Sequence, residues 1–197
     1  MTACGKWIEE QKGASDETGG RQMHLITLTD EEMKEANEYG GLRSGSKESH
    51  WGHQYPNQAD SEVRHIRGVK GEIAVARWAR GQWNKKLLRC GDRRVDEPDV
   101  VTARGNRVEV KTPFNGKLFR LRTDRPVEEL GSNTHLVLCC QYGKIYGSQI
   151  QIIGYLPVAT AMERWRYKEW PFRNGNTYRA AYLEYGDLLG AQDVCLI

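Results

Sequence analysis

Between Asp60 and Trp83 the apolar side chains Val63, Ile66, Val69, Ile73 and Ala76 recur at every third or fourth position. That spacing lines one face of a helix and predicts one starting at Asp60, whose side chain can cap it. Glu72, directly after Gly71, falls at the border of the apolar face rather than opposite it, so its position asks for a reason. Upstream, "LITLTDEEMKEANEYGG" predicts a short extended piece followed by a helix. Thr29 and Glu32 have capping-box spacing, Asp30, Glu31 and Glu32 suit the N-terminal dipole, and Gly40-Gly41 is expected to end the helix. Residues 42–59 are expected to form a long loop, and residues 1–22 a polar, Gly-rich and mobile leader.

After the helix the period shortens to two. Short strands are predicted at 86–90, 99–103, 107–112 and 117–122, and "RGN" at 104–106 supplies turn residues that make the second and third a hairpin. "HLVLCCQY" (135–142) is a near-continuous apolar run of the kind found in a buried central strand, and 144–157 adds one or two more. A basic, aromatic helix is expected at 158–170, then an edge strand and turn in "TYRAAYLEYGDLL". The order of elements predicts a mixed α/β fold, with 60–197 as the folded domain and 1–59 as a leader with a short helix and a long loop.

Charge sharpens this division. Residues 1–60 carry a net charge of −5 and residues 61–197 carry +8, a distribution that fits a polyanionic partner such as DNA for the body of the chain. No apolar stretch approaches the ~18–20 residues that span a bilayer, so no membrane partner is expected. The five cysteines form no CxxC pair and are odd in number, which points to a reduced, cytoplasmic protein. His50 and His53 have no Cys or His companions at zinc-like spacing.

The candidate chemistry lies in "PDVVTARGNRVEVKTP", residues 98–113. Alternation puts Glu109 and Lys111 on one face of a strand and Val108 and Val110 on the other. Asp99 begins the hairpin partner, so its carboxylate can lie next to Glu109. Two such groups repel unless a cation sits between them. A hard divalent ion such as Mg²⁺ accepts one or two carboxylates, and the Val110 carbonyl is a further candidate ligand. Lys111 could then orient water, favour its deprotonated form or stabilise charge on a phosphate. The same residues also suit a plain solvent-facing ladder pair, with Asp99 in a turn. Asp92 and Asp96 are rival ligands. Arg120 and Arg122 alternate onto one face and, with Lys70, are candidate phosphate contacts. The basic and aromatic residues of 162–173 suit either DNA contact or burial of the tryptophans.

Pro98-Asp99 followed by Glu109-Val110-Lys111 resembles the PD-(D/E)XK motif of the restriction-endonuclease-like nuclease superfamily. "GVKGEIAVARW" is similar to the helix before the core sheet of many members. The resemblance spans about residues 60–157 and implies an αβββαβ core and a Mg²⁺-dependent DNA nuclease (Mn²⁺ substituting), with endonuclease preferred to exonuclease although the sequence does not separate the two. It further implies that Asp99, Glu109 and Val110 bind the metal, that Glu72 holds a second ion or a metal-bound water, and that Lys111 assists the attacking water. Many members act as homodimers, and the small size suits a phage or mobile-element nuclease. After Lys111 the family pattern calls for a helix, whereas "LFRLRTDRPVEELGS" reads as strand and then loop. The alternative is a non-catalytic module of the same fold that binds nucleic acid or protein; a purely structural protein is a third class.

Overall fold

The computed structural model describes residues 23–51, 58–85, 97–113, 118–122, 131, 133–141, 147–171 and 177–191. The described residues start with β1 (His24–Thr27) and helix α1 (Asp30–Trp51), joined by the expected capping box. Glu32 Oε2 accepts from the Thr29 amide at 2.8 Å, and Thr29 Oγ1 accepts from the Glu32 amide at 3.2 Å. Gly40-Gly41 does not end α1. A Cβ on Gly40 would lie 2.5 Å from Ile66 Cα, so this glycine lets two helices cross closely instead of stopping one. The loop expected from residue 42 is therefore helical as far as Trp51, and 52–57 lie outside the described residues.

Helix α2 (Gln58–Trp78) begins two residues before Asp60 and carries the apolar stripe into the core through Val69, Ile73 and Ala76. It closes with the Gly81 amide donating to Ala76 O at 2.7 Å and the Arg80 amide to Arg77 O at 3.2 Å, with Arg80 at φ 51°. Short β2 (Gln82–Trp83) and β3 (Val100–Val101) follow, then β4 (Arg107–Lys111). The strand expected at 86–90 lies outside the described residues. The β3–β4 hairpin forms as its turn residues predict: Gly105, at φ 79°, donates to Thr102 O at 2.9 Å.

Beyond β5 (Leu118–Arg122) come β6 (Thr134–Gln141), β7 (Gln149–Pro157) and helix α3 (Val158–Arg164). Next are β8 (Arg166–Pro171), β9 (Thr177–Glu184), one turn of 3₁₀ helix at Tyr185–Asp187, and β10 (Leu189–Gly190). The main sheet has seven strands in the order β1-β7-β6-β4-β3-β2, with β10 also on β7. Strand β6 runs parallel to β4, and the other pairings are antiparallel, so the sheet is mixed. As expected, β6 is central and buried.

Helices flank this sheet. Val108, Val110, Val137 and Cys139 share a core with α1 and α2, while Leu136, Leu138 and Ile153 meet Val158 and Ala161 of α3 on the other side. β1 pairs with β7, and Leu28 and Ala36 are buried in the first core, so residues 24–51 are part of the folded body rather than a leader.

Two expectations in the last third need correction. The helix expected over 158–170 ends at Arg164, and 166–171 form β8, whose Arg166 reaches Asp187 at 2.8 Å. Strand β9 is not an edge: it is the middle of a separate three-stranded sheet, β5-β9-β8. Along the outer side of β7, Leu189 and Gly190 lie opposite Tyr155 and Gly154, and β1 continues from His24 opposite Ile152 to Thr27 opposite Gln149. Gly154 permits this, because a Cβ there would overlap Leu189 O.

Candidate active site

The hairpin and α2 bring four of the sequence-predicted residues into one electrostatic neighbourhood. Val100 pairs with Val108, and one step further along that register Asp99 lies across from Glu109. Asp99 Oδ2 accepts from the Val110 amide at 2.7 Å, a bond in which the side chain takes the place of a strand neighbour. The Val110 carbonyl shares the side of the strand that its amide faces. Pro98, preceding Asp99, has no N–H with which to occupy that carbonyl. Lys111 Nζ donates to Glu109 Oε1 at 2.6 Å. The Glu109 side chain is 8% exposed and that of Lys111 34%, so the pair is buried at the carboxylate and reaches solvent at the ammonium.

Glu72 is anchored from the other side. Arg43 of α1 grips it in a fork, with Nη1 to Oε1 at 2.7 Å and Nη2 to Oε2 at 2.9 Å. Trp83 Nε1 adds a bond to Oε2 at 2.7 Å, and the Trp83 ring meets Tyr39 edge-on with centroids 5.1 Å apart. Sequence reasoning missed both Arg43 and Trp83. The first stood in a presumed loop and the second at the tail of a helical pattern, and neither falls in a motif.

Electrostatics tie the set together. Burial, then the Glu109 and Glu72 carboxylates, push the Asp99 carboxyl well above the usual carboxylate range, against the pull of Lys111 and the Val110 amide. Burial alone would lower the Lys111 ammonium, but Glu109, Asp99 and Glu72 outweigh it and raise it. Burial likewise opposes the Arg43 charge, which Glu72 and then Asp99 more than restore.

The donor set fits a hard divalent cation. Asp99 and Glu109 supply oxygen, the Val110 carbonyl adds another, and a cation would relieve the repulsion at Asp99. Glu72 is the most heavily engaged of the three carboxylates, with both its oxygens accepting from Arg43 and one also from Trp83. Among the described residues no three His, Cys, Asp or Glu side chains converge as a metal shell.

The remaining candidates are not drawn in. Lys70 is 1% exposed and its Nζ donates to Gly147 O at 3.1 Å, which corrects its assignment as a phosphate contact: it faces the core. Arg120 and Arg122 lie on β5, opposite Tyr182 and Ala180 of β9 in the smaller sheet, and their side chains are outside the described residues. Asp92 and Asp96 also lie outside them. Arg166, from the basic aromatic segment, is engaged with Glu184 and Asp187. No helix among the described residues is long and apolar enough to cross a membrane. No protein-family model, curated protein or solved structure matches the chain.

Proposed function

We propose that the protein is a divalent-metal-dependent deoxyribonuclease of the restriction-endonuclease-like superfamily, hydrolysing phosphodiester bonds with water as nucleophile. The observation that carries this reading is the hairpin end, where half-buried Asp99 and buried Glu109 crowd each other beside a partly exposed Lys111. A folded core has no need of such repulsion, whereas a cation site does. The order α2, then the antiparallel β2–β3–β4, then β6 and β7 is similar to the αβββαβ core that the motif implies. The passage from β4 to β6 through β5 departs from that pattern.

Asp99, Glu109 and the Val110 carbonyl are the groups that would hold Mg²⁺ or Mn²⁺. When bound, such an ion acidifies water and draws negative charge from the phosphate. In the step itself the water oxygen bonds to phosphorus, a P–O bond to sugar breaks, and the departing oxygen gains a proton. In the metal-free protein Glu109 and the neighbouring carboxylates favour the charged form of Lys111 against the effect of burial, which suits a donor role. Lys111 stabilises charge on the phosphate oxygens. Arg43 and Trp83 fix the Glu72 carboxylate in place at the wall of the site.

The test is incubation of the purified protein with linear, supercoiled, single-stranded and branched DNA, with Mg²⁺, with Mn²⁺ and with chelator. Metal-dependent cleavage that is lost in Asp99→Asn and Lys111→Met is expected. No cleavage of any substrate would overturn the proposal. One observation favours a second reading: Glu109 and Glu72 are already paired with cationic side chains, as in a structural ion network. A non-catalytic DNA-binding module of this kind would show salt-dependent binding that chelator leaves unchanged.

A further inference from the structure

We propose that the Arg43 guanidinium stands in for a second metal ion, so that the site takes one divalent ion per chain. This rests on the nuclease reading above and concerns a residue outside the motif. Two-metal sites hold ions about 3.5–4 Å apart and need carboxylate oxygens for each. With Asp99 and Glu109 engaged by one ion, Glu72 is the carboxylate left for another. Its Oε1 accepts from Arg43 Nη1 at 2.7 Å, and its Oε2 accepts from Arg43 Nη2 at 2.9 Å and Trp83 Nε1 at 2.7 Å. The side chains are 16% and 8% exposed, so the fork is largely shielded from competing water.

The fork is built in advance. Gly40 lets α1 approach Ile66 of α2, and Arg43 emerges one turn later, over Glu72. Tyr39, on the same helix, backs the Trp83 ring. Charge balance agrees. Glu72, Asp99 and Glu109, when ionised, outnumber Arg43 and Lys111 by one negative charge. One divalent ion and one phosphodiester anion bring that set to −1 + 2 − 1, or zero, whereas a second ion would leave two positive charges in a largely buried place. Arg43 is thus a positioning residue that fixes Glu72 and supplies one positive charge without metal.

Mn²⁺ binding to the full chain, read by calorimetric stoichiometry and by electron paramagnetic resonance, tests this apart from catalysis. Wild type is expected to bind one Mn²⁺ per chain, with an isolated-ion spectrum and no dipolar-broadened pair. Arg43→Met is expected to bind two, and adding Glu72→Gln to it is expected to return the count to one. Arg43→Lys, which keeps the charge, stays at one and serves if the methionine variant does not fold. Two ions in wild type, or one ion in a folded Arg43→Met, would overturn the inference while leaving the nuclease reading intact. No Mn²⁺ bound by wild type would overturn both.

Discussion

Replacing Asp99 by asparagine is expected to make the metal-free protein more stable while removing its activity. The wild-type carboxyl is held well above its ordinary range by burial and by Glu109 and Glu72. Asparagine keeps an oxygen for the Val110 amide, 2.7 Å away, and removes the charge. Relief at a functional site is typically worth about 0.5–2 kcal/mol. For a chain of this size each kcal/mol moves Tm by about 2–4 °C, so the expected gain is about 1–8 °C.

The pH dependence has a fixed sign. A raised native pKa means that the folded state binds the Asp99 proton more tightly than the unfolded chain does. Wild-type stability from this group is therefore present at low pH and lost as pH rises from 3.8 through the native value. The advantage of Asp99→Asn should vanish below pH 3.8 and be complete above the native pKa. Urea denaturation followed by tryptophan fluorescence, in chelator at several pH values, measures it. Adding Mg²⁺ at about 100 times its Kd should then stabilise wild type by about 2.7 kcal/mol and the variant far less. An Asp99→Asn protein less stable than wild type in chelator at pH 8 would refute the claim that these carboxylates repel.

Lys70→Met should keep stability within about 1 kcal/mol of wild type or raise it, since it removes a buried ammonium and leaves Gly147 O with the Gln141 amide at 2.6 Å. Burial lowers the Lys70 pKa, so wild-type stability should rise with pH up to about 10.5 in a way the variant lacks; unchanged DNA affinity would accompany this. Gly40→Ala should destabilise by about 1–3 kcal/mol despite better helix propensity, and a more stable variant by circular dichroism would sink the helix-crossing role. Cys139, whose thiol burial pushes far up, should resist alkylation at pH 8 until urea unfolds the chain, as peptide mass spectrometry can show.

What the chain disclosed in advance depended on how local the cause was. The capping box at Thr29 and Glu32 and the turn at Gly105 are made by neighbours, and both were readable. Gly40 looked like a stop signal because its partner, Ile66, is distant in sequence; a glycine at a crossing and one at a helix end carry the same letter. Arg166 and its strand continued a helical pattern on paper, but Asp187, Glu184 and the pairing with β9 decide its state. The candidate site divides in the same way. Asp99, Glu109 and Lys111 lie on one hairpin and announce themselves. Arg43 meets Glu72 across 29 residues, so only the packing of α1 on α2 could reveal it.

The outer edge of β7 is covered by two pieces from opposite ends of the described chain, laid end to end as though they were one strand. During synthesis β1 emerges before β7 and has no place to dock until β7 exists, and β10 emerges after it. Until both have docked, a long row of backbone donors and acceptors stands open, able to recruit a second molecule. Solubility while folding thus depends on how soon these two short segments close that seam. Variants that weaken either piece would be expected to show it first as aggregation during expression rather than as loss of the finished fold.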